Sequence, residues 1–426
     1  MKMSDRAFDR YLDDLCDGLG HADRREGLKG YCRGLMLPLE RKSVEPLAAH
    51  LDPRHVRAVH QSLHHFVAKS QWSDAAVLER VRSHVVSAMN ARDRRYWIVD
   101  DTGFRKHGKH SVGVARQYCG EIGKQDNCQV AVSVSLATVS ASVPIAWRLY
   151  LPEVWAEDEE RRAKAGVPEE ILFATKPEIA LAQLQQAQRD AVPEGIVLAD
   201  AGYGTNTSWR EGLVAAGLRY VVGVISSVKV WPQGQEPQLV ATGSGKGRPP
   251  IRRLRDAGHQ PLAVEDLALQ LDARRYRRVS WREGSKGPLS SRFAAVRVRA
   301  AQGDHLRPEE WLLIEWPKHR DEPRKYFLSN LPADTTLAQL VADAKARWRI
   351  ERDYHDLKQE FGLDHYEGRG WRGFHHHATL CIAAYAFLVS ERLRGSSQKK
   401  PSEFPKPALP KNYRARGTAT SATSPA

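Results

Sequence analysis

Tyr96-Trp-Ile-Val-Asp100 and Gly195-Ile-Val-Leu-Ala-Asp200 decide the reading of this chain. Each is a short apolar run of the kind that forms a buried strand, and each ends in a carboxylate. A carboxylate after a buried run costs free energy unless something pairs with it. Taken singly, a strand-end Asp is most simply a turn or helix-cap residue. Two in one stretch of chain point instead to neighbouring strand ends that converge on a cleft.

Between and around these runs the pattern is consistent. Residues 111–118 and 128–137 are rich in Val with partial alternation, and the polar residues 121–127 between them read as a hairpin connection. Residues 144–151 offer a further strand, 157–168 a charged loop, and 177–189 a helix. A helix over 208–216 and a strand over 220–225 follow. Meander strands, then helix, strand, helix, strand, make an α/β unit: a mixed sheet flanked by helices. Residues 226–330 break that rhythm. They hold the basic turn Gly243-Ser-Gly-Lys-Gly-Arg-Pro-Pro250 and strand-like runs at 277–281, 292–298, 311–316 and 326–329, so they read as a β-rich insertion. Residues 337–361 form one long helix candidate, with Asp334, Thr335 and Thr336 available as caps, and 376–393 form another.

Upstream, Phe8, Leu12, Leu15 and Leu19 recur at helical spacing, and Pro38 and Pro53 interrupt it. The expected organisation is an N-terminal helical, DNA-binding domain over 1–92, a core built from 93–225 and 331–393, the insertion over 226–330, and a disordered basic tail over 394–426. The tail is a solvated segment or a loose electrostatic contact to DNA.

Charge narrows the partners. Among 426 residues, 65 Lys and Arg face 51 Asp and Glu, a net charge of +14. A pI near 9.6 points to a polyanion, nucleic acid first, although a merely basic soluble protein has the same signature. Five cysteines with no CxxC pair argue against a disulfide framework or a zinc knuckle and fit a reducing cytoplasm. No apolar signal core follows the start, and the longest apolar stretch, 380–389, is short of the about 20 residues that span a bilayer. A cytoplasmic, nucleoid-associated protein without membrane contact is the expectation.

Glu351 supplies a third acid. In Arg347-Trp-Arg-Ile-Glu351-Arg-Asp-Tyr-His-Asp-Leu-Lys358, positions 347, 351 and 358 share one helix face within roughly 60°. That face is either an exposed surface laced by i,i+4 ion pairs or a metal-ligating Glu flanked by two phosphate-gripping cations. Two-metal phosphodiester cleavage needs such hard oxygen ligands, with the metals roughly 3.5–4 Å apart. The insertion carries one cluster of Arg252, Arg253 and Arg255 and a second of Arg274, Arg275, Arg277, Arg278, Arg282 and Lys286, with Trp281 inside the second. The cations suit phosphates, while Trp281 suits either sheet core or stacking on an unpaired base. His375, His376 and His377 look like a metal cluster, but consecutive helical positions point apart, so polar or DNA-facing roles are expected. Gly243 to Gly247 lacks the spacing of a phosphate-binding loop.

Taken together, Val99-Asp-Asp-Thr-Gly-Phe104, His110-Ser-Val-Gly-Val-Ala-Arg-Gln-Tyr-Cys-Gly120, Val197-Leu-Ala-Asp-Ala-Gly-Tyr-Gly204, Val279-Ser-Trp-Arg-Glu-Gly284, Tyr326-Phe-Leu-Ser-Asn-Leu-Pro332 and Arg347 to Lys358 resemble insertion-sequence transposases of the DDE superfamily. Within that superfamily the resemblance is to the IS seven-oh-one family, related to the IS-four group, over residues 5 to 393. It implies a ribonuclease H-like core and a catalytic, metal-binding triad of Asp100, Asp200 and Glu351. Asp101 is a rival for the first place; Asp-x-Thr in the related group selects Asp100 with Thr102, and strand alternation puts Asp101 on the other face. The resemblance further implies recognition of terminal inverted repeats, two Mg2+ ions with Mn2+ as a substitute, and attack of the freed 3′-OH on target DNA. Double-stranded DNA, as transposon ends and target, and a homodimer in the synaptic complex are the implied partners. Arg347 and Lys358 match the phosphate grip around the Glu, whereas the tyrosine of that signature is Ala344 here. The alternatives are a catalytically inactive remnant that occupies the inverted repeats and, against the β-rich insertion, a nuclease of ribonuclease or resolvase type.

Overall fold

The computed structural model describes residues 5–235, 238–239, 253–254, 260–284, 287–302 and 306–397. The strands are β1 (Tyr96–Arg105), β2 (Ala115–Cys119), β3 (Lys124–Ala137), β4 (Ser142–Leu149), β5 (Ile196–Ala199), β6 (Tyr220–Val224), β7 (Lys229–Pro232), β8 (Gln238–Leu239), β9 (Arg253–Leu254), β10 (Leu262–Ala263), β11 (Arg277–Gly284), β12 (Gly287–Ala300), β13 (Glu310–Glu315) and β14 (Lys325–Ser329). Among the described residues twelve of them form one sheet, in the order β10-β7-β12-β13-β14-β6-β5-β1-β3-β2, with β4 on β3 and β11 on β12. Among the described residues only β1, β5 and β6 run parallel, β5 pairing with each of the other two, and every other pairing is antiparallel.

The helices are α1 (Asp5–Cys16), α2 (Arg25–Leu35), α3 (Val44–Leu51), α4 (Val56–Ala68), α5 (Asp74–Ala88), α6 (Glu153–Ala156), α7 (Glu159–Ala165), α8 (Lys176–Arg189), α9 (Ala201–Gly204), α10 (Thr207–Ala215), α11 (Val264–Gln270), α12 (Leu337–Ala346), α13 (Arg349–Gln359) and α14 (Trp371–Ser397). Both sheet faces are covered. Tyr96, Ile98, Ile196 and Leu198 pack against Leu340, Val341 and Ala344 of α12 and Ile350 of α13. The alternate residues Trp97, Val99, Val197 and Ala199 share the larger core with Ile179 and Leu184 of α8 and Leu213 of α10. This period-two division fixes which side each strand residue serves.

The mixed sheet flanked by helices is ribonuclease H-like, as the sequence predicts, and β4-β3-β1-β5-β6 is its centre. Of the described residues in 226–330, read as an insertion, the short β8–β9 pair stands apart as its own two-stranded sheet, and the other strands join the central one. β14 pairs with β6, and β13, β12 and β7 extend the same ladder outward. An edge strand such as β6 exposes a row of unpaired backbone groups, and this extension satisfies them.

Other expectations change in detail. The charged stretch 157–168 is not a plain loop: Asp158 caps α7 by accepting from the Arg161 amide, and Gly166 ends it in the left-handed region. The helix expected over 337–361 is two helices. α12 begins with a Thr336–Gln339 capping box and seats on β5, β6, β11 and β12, whereas α13 seats on β1, β4 and α14. Two seats require two axes, and the chain turns at Arg347 and Trp348 between them. α14 is buried among α2, α4, α5 and β4 and joins the N-terminal helices to the sheet. His375, His376 and His377 lie inside this joint, not on a DNA-facing surface, because each ring finds backbone partners there. His375 binds the Trp371 carbonyl and Leu149 amide, His376 the Val67 and Trp72 carbonyls, and His377 the Gly362 carbonyl. All five cysteines are buried and free. No helix among the described residues is long and apolar enough to cross a membrane. The turn at 243–247, Arg252, Arg255, Lys286 and the tail beyond 397 lie outside the described residues.

Candidate active site

Asp100 is not at the end of its strand, as its apolar run suggests, but in the middle of β1, which continues to Arg105. The strand continues because β3 supplies partners along its whole length, Asp100 standing opposite Ser133. Asp200 follows β5 directly and is still extended (φ −81°, ψ −175°). The parallel register of β1 and β5 pairs Tyr96 with Ile196 and Ile98 with Leu198. Two residues further, that register sets Asp100 beside Asp200, on strands about 4.8 Å apart. Asp200 caps α9: its Oδ1 accepts from the amides of Gly202 (2.9 Å) and Tyr203 (3.4 Å). Close approach of α9 to β6 makes this turn possible. A Cβ on Gly204 would stand 2.0 Å from the Gly223 carbonyl oxygen, and one on Gly223 would stand 3.0 Å from the Ala201 nitrogen.

Glu351 comes to the same place from α13. The Arg347 guanidinium donates to Asp100 Oδ2 at 2.7 Å and to Glu351 Oε1 at 3.2 Å. The other Asp100 oxygen accepts from the Asp101 amide at 2.9 Å. Burial pushes the Asp100 carboxyl up to about 7; Arg347 opposes this, while Asp200 and Asp101 push the same way. Burial pulls Arg347 down, but Asp100, Asp200 and Glu351 together outweigh it and hold the guanidinium above its ordinary value. One cation therefore senses all three acids.

Asp101 serves the opposite face. Its Oδ2 binds Lys176 Nζ of α8 at 3.0 Å and the Tyr203 hydroxyl at 3.2 Å. This neutralised cluster ties β1 to α8 and α9 and leaves Asp101 turned away from Glu351. Lys358 departs from the expected cationic face. It is buried, donating to the Gly103 carbonyl at 2.7 Å and pairing with Glu121 at 3.0 Å, because α13 turns this position onto β1.

The cations and aromatics expected to meet DNA are distributed unevenly. Arg282 of β11 lies 3.8 Å above the Trp348 ring, and Arg349 lies 5.4 Å from it on the turn beside the acids. Trp281 is partly buried, edge-on to Phe293, with Lys345 Nζ 4.6 Å from its ring. Arg278 is exposed on the β11–β12 hairpin and bonded to Ser290. Sequence reasoning passed over two neighbours of the site. Tyr354, one turn after Glu351, bonds the Ser133 hydroxyl at 2.8 Å. Asp353 is buried, accepts from Ser142 at 2.5 Å and Tyr385 at 3.0 Å, and is pushed up to about 7 by burial. The i+3 spacing of Tyr354 was a usable signal; nothing local marked Asp353.

The donor chemistry fits a hard divalent cation: three carboxylates, one in the middle of β1 and one just after the adjacent β5, with the like-charge pressure on Asp100 that such an ion relieves. Yet no three His, Cys, Asp or Glu side chains among the described residues are arranged to hold a metal ion. Arg347 stands between Asp100 and Glu351 instead.

A ribonuclease H-like sheet with carboxylates at adjacent parallel strands defines a class, the DDE-type nucleases and recombinases. The chain belongs to the DDE superfamily endonuclease family, which residues 14–288 match. That match takes in Asp100 and Asp200 and stops short of Glu351. The chain is also similar to a protein of Microchaete diplosiphon named "Probable transposase for insertion sequence element IS701", 31% identical over 176 residues. The shared stretch covers 41% of this chain and 43% of that relative.

Proposed function

We propose that this protein is the DNA transposase of an insertion sequence, with Asp100, Asp200 and Glu351 as its catalytic carboxylates. The carrying observation is the β1–β5 register that sets Asp100 beside Asp200, with Arg347 reaching from Asp100 to Glu351. The similarity to the IS701 transposase supports the same reading.

In this account Asp100 and Asp200 hold divalent cations from the sheet and Glu351 closes the set from α13. Mg2+, with Mn2+ as a substitute, supplies activation of the attacking oxygen and stabilisation of the leaving oxygen in each in-line displacement. Arg347 grips the phosphate beside the cut, and Arg282 and Arg278 follow the DNA backbone away from it. Trp281 and Trp348 present aromatic surface where an unpaired base can stack. The helices over 1–92 take the inverted repeats, the core over 93–225 and 331–393 cuts and joins, and the two copies of a homodimer hold the two ends. Ala344, at the signature tyrosine position, is buried against the sheet and contributes packing in place of a phosphate contact.

The test is incubation with duplex DNA carrying the element's own ends and Mg2+, beside Asp200→Ala and Glu351→Ala. Metal-dependent nicking that both substitutions abolish is expected. Binding to the ends without nicking makes the chain an inactive remnant instead.

A further inference from the structure

We propose that Arg347 gates cation loading: without DNA its guanidinium keeps Asp100 and Glu351 occupied, and a DNA phosphate opens the site by drawing it away. The inference rests on the reading of the three acids as cation ligands and adds the order in which the site is filled.

The hydrogen bonds carry the argument. Asp100 has two oxygens, and both are engaged: Oδ1 by the Asp101 amide at 2.9 Å and Oδ2 by Arg347 at 2.7 Å. Oδ1 keeps a lone pair beside the fixed Asp101 amide, but a cation on either Asp100 oxygen meets the guanidinium charge held 2.7 Å from Oδ2 and competes with it for the carboxylate. The second terminal nitrogen of Arg347 holds Glu351 at 3.2 Å, so one side chain engages two of the three acids. The guanidinium is charged at any working pH, and its positive charge repels a second cation at the same point.

The same features make DNA the opener. The Arg347 side chain is 25% exposed and that of Glu351 66%, so the pair is reached from solvent. A guanidinium fork binds phosphate bidentately as readily as carboxylate. Arg282 and Arg349 flank Trp348, the next residue, and make the approach attractive to a polyanion and unattractive to a bare divalent ion. Arg347 lies on the turn between α12 and α13, so its reorientation need not break either helix. Exchange of Arg–carboxylate contacts for Arg–phosphate and cation–carboxylate contacts couples the two ligands, and the coupling must be reciprocal.

The test measures Mn2+ binding to the full chain by electron paramagnetic resonance, with and without a generic DNA duplex at low salt. DNA-free wild type is expected to bind Mn2+ weakly. Arg347→Ala is expected to bind it about tenfold more tightly without DNA, in the range of ordinary site–site coupling. DNA should then tighten Mn2+ binding in the wild type by a larger factor than in Arg347→Ala. Arg347→Lys, which reaches one acid instead of two, should fall between them; circular dichroism identifies a variant that is unfolded, and the lysine variant decides if alanine is. DNA-free affinity equal to wild type in the folded variants overturns the gate. Asp200→Asn separates the two claims: if it leaves Mn2+ binding with DNA unchanged, the ligand assignment itself fails.

Discussion

Acidification is expected to loosen α14 through His377, and the effect can be worked out from its hydrogen bonds to Tyr31, Gly362 and Cys381, the last with Sγ at 3.5 Å from Nε2. The ring is 1% exposed. Its Nδ1 faces the Tyr31 hydroxyl at 2.9 Å and its Nε2 the Gly362 carbonyl at 2.9 Å. A neutral imidazole offers one donor and one acceptor, so the Nε2–H tautomer donates to Gly362 and accepts from Tyr31. A second proton would reverse the Tyr31 bond, leave the Tyr31 hydroxyl hydrogen without that acceptor, and place a charge in the core. Burial accordingly pulls the ring from 6.5 down to about 4. The unfolded chain takes the proton near 6.5 and the folded chain only near 4, so the unfolded state binds more protons in between. The contribution to stability is therefore complete above about pH 6.5 and is lost as the pH falls toward about 4. At about 1.4 kcal/mol for each pKa unit, the loss is about 3 kcal/mol. Urea unfolding followed by circular dichroism over this pH range measures it, with His377→Gln as the comparison. The variant starts less stable but should lose about 3 kcal/mol less on acidification. Parallel pH curves for the two proteins would show that His377 contributes nothing to the acid sensitivity.

Three further substitutions have defined outcomes. Gly204→Ala drives a methyl into the Gly223 carbonyl, so it should cost at least about 1–3 kcal/mol in thermal unfolding and depress nicking by displacing Asp200. Unchanged melting would mean that α9 is free to move off β6. Asp343→Ala removes the partner of Arg94 (2.7 and 2.6 Å) and of the buried Tyr96 hydroxyl (3.0 Å), and a loss of about 1–3 kcal/mol is expected by denaturant titration. Trp281→Ala removes the edge-on contact with Phe293 and the face under Lys345, about 1 kcal/mol of stability, and should also lower end cleavage. Cleavage and base reactivity beside the cut that stay at wild-type levels would leave Trp281 with packing alone.

Much of this was legible in the sequence because it is written locally. Ile196–Ala199 and Tyr220–Val224 are apolar runs too short for helices, and their carboxylate and glycine neighbours mark the turn that positions Asp200. Asp334, Thr335 and Thr336 mark the start of α12 as candidate caps, and Thr336 is the one that caps it, in a box with Gln339. What stayed hidden depends on contacts between distant segments. The extension of β1 past Asp100 is set by β3, and the incorporation of residues 226–330 into the central sheet is set by β6. The turn at Arg347 and Trp348 follows from two packing seats, and it sends Lys358 to Gly103 and Glu121 instead of the phosphate-facing surface. The three histidines look like ligands in sequence because their partners, backbone carbonyls and amides of other segments, have no signature. The pairing of Asp101 with Lys176 and Tyr203 is legible only in part: alternation turns it from Asp100's face, but nothing names its partners.

The central claim is that Asp100, Asp200 and Glu351 act together as cation ligands for phosphodiester cleavage. The most direct measurement is strand cleavage of end-bearing duplex DNA in Mg2+ by the wild type, Asp100→Asn, Asp200→Asn and Glu351→Gln, with DNA binding measured on the same preparations. Each substitution should abolish nicking while binding stays near the wild-type level. Full nicking by any one of the three variants would contradict the account.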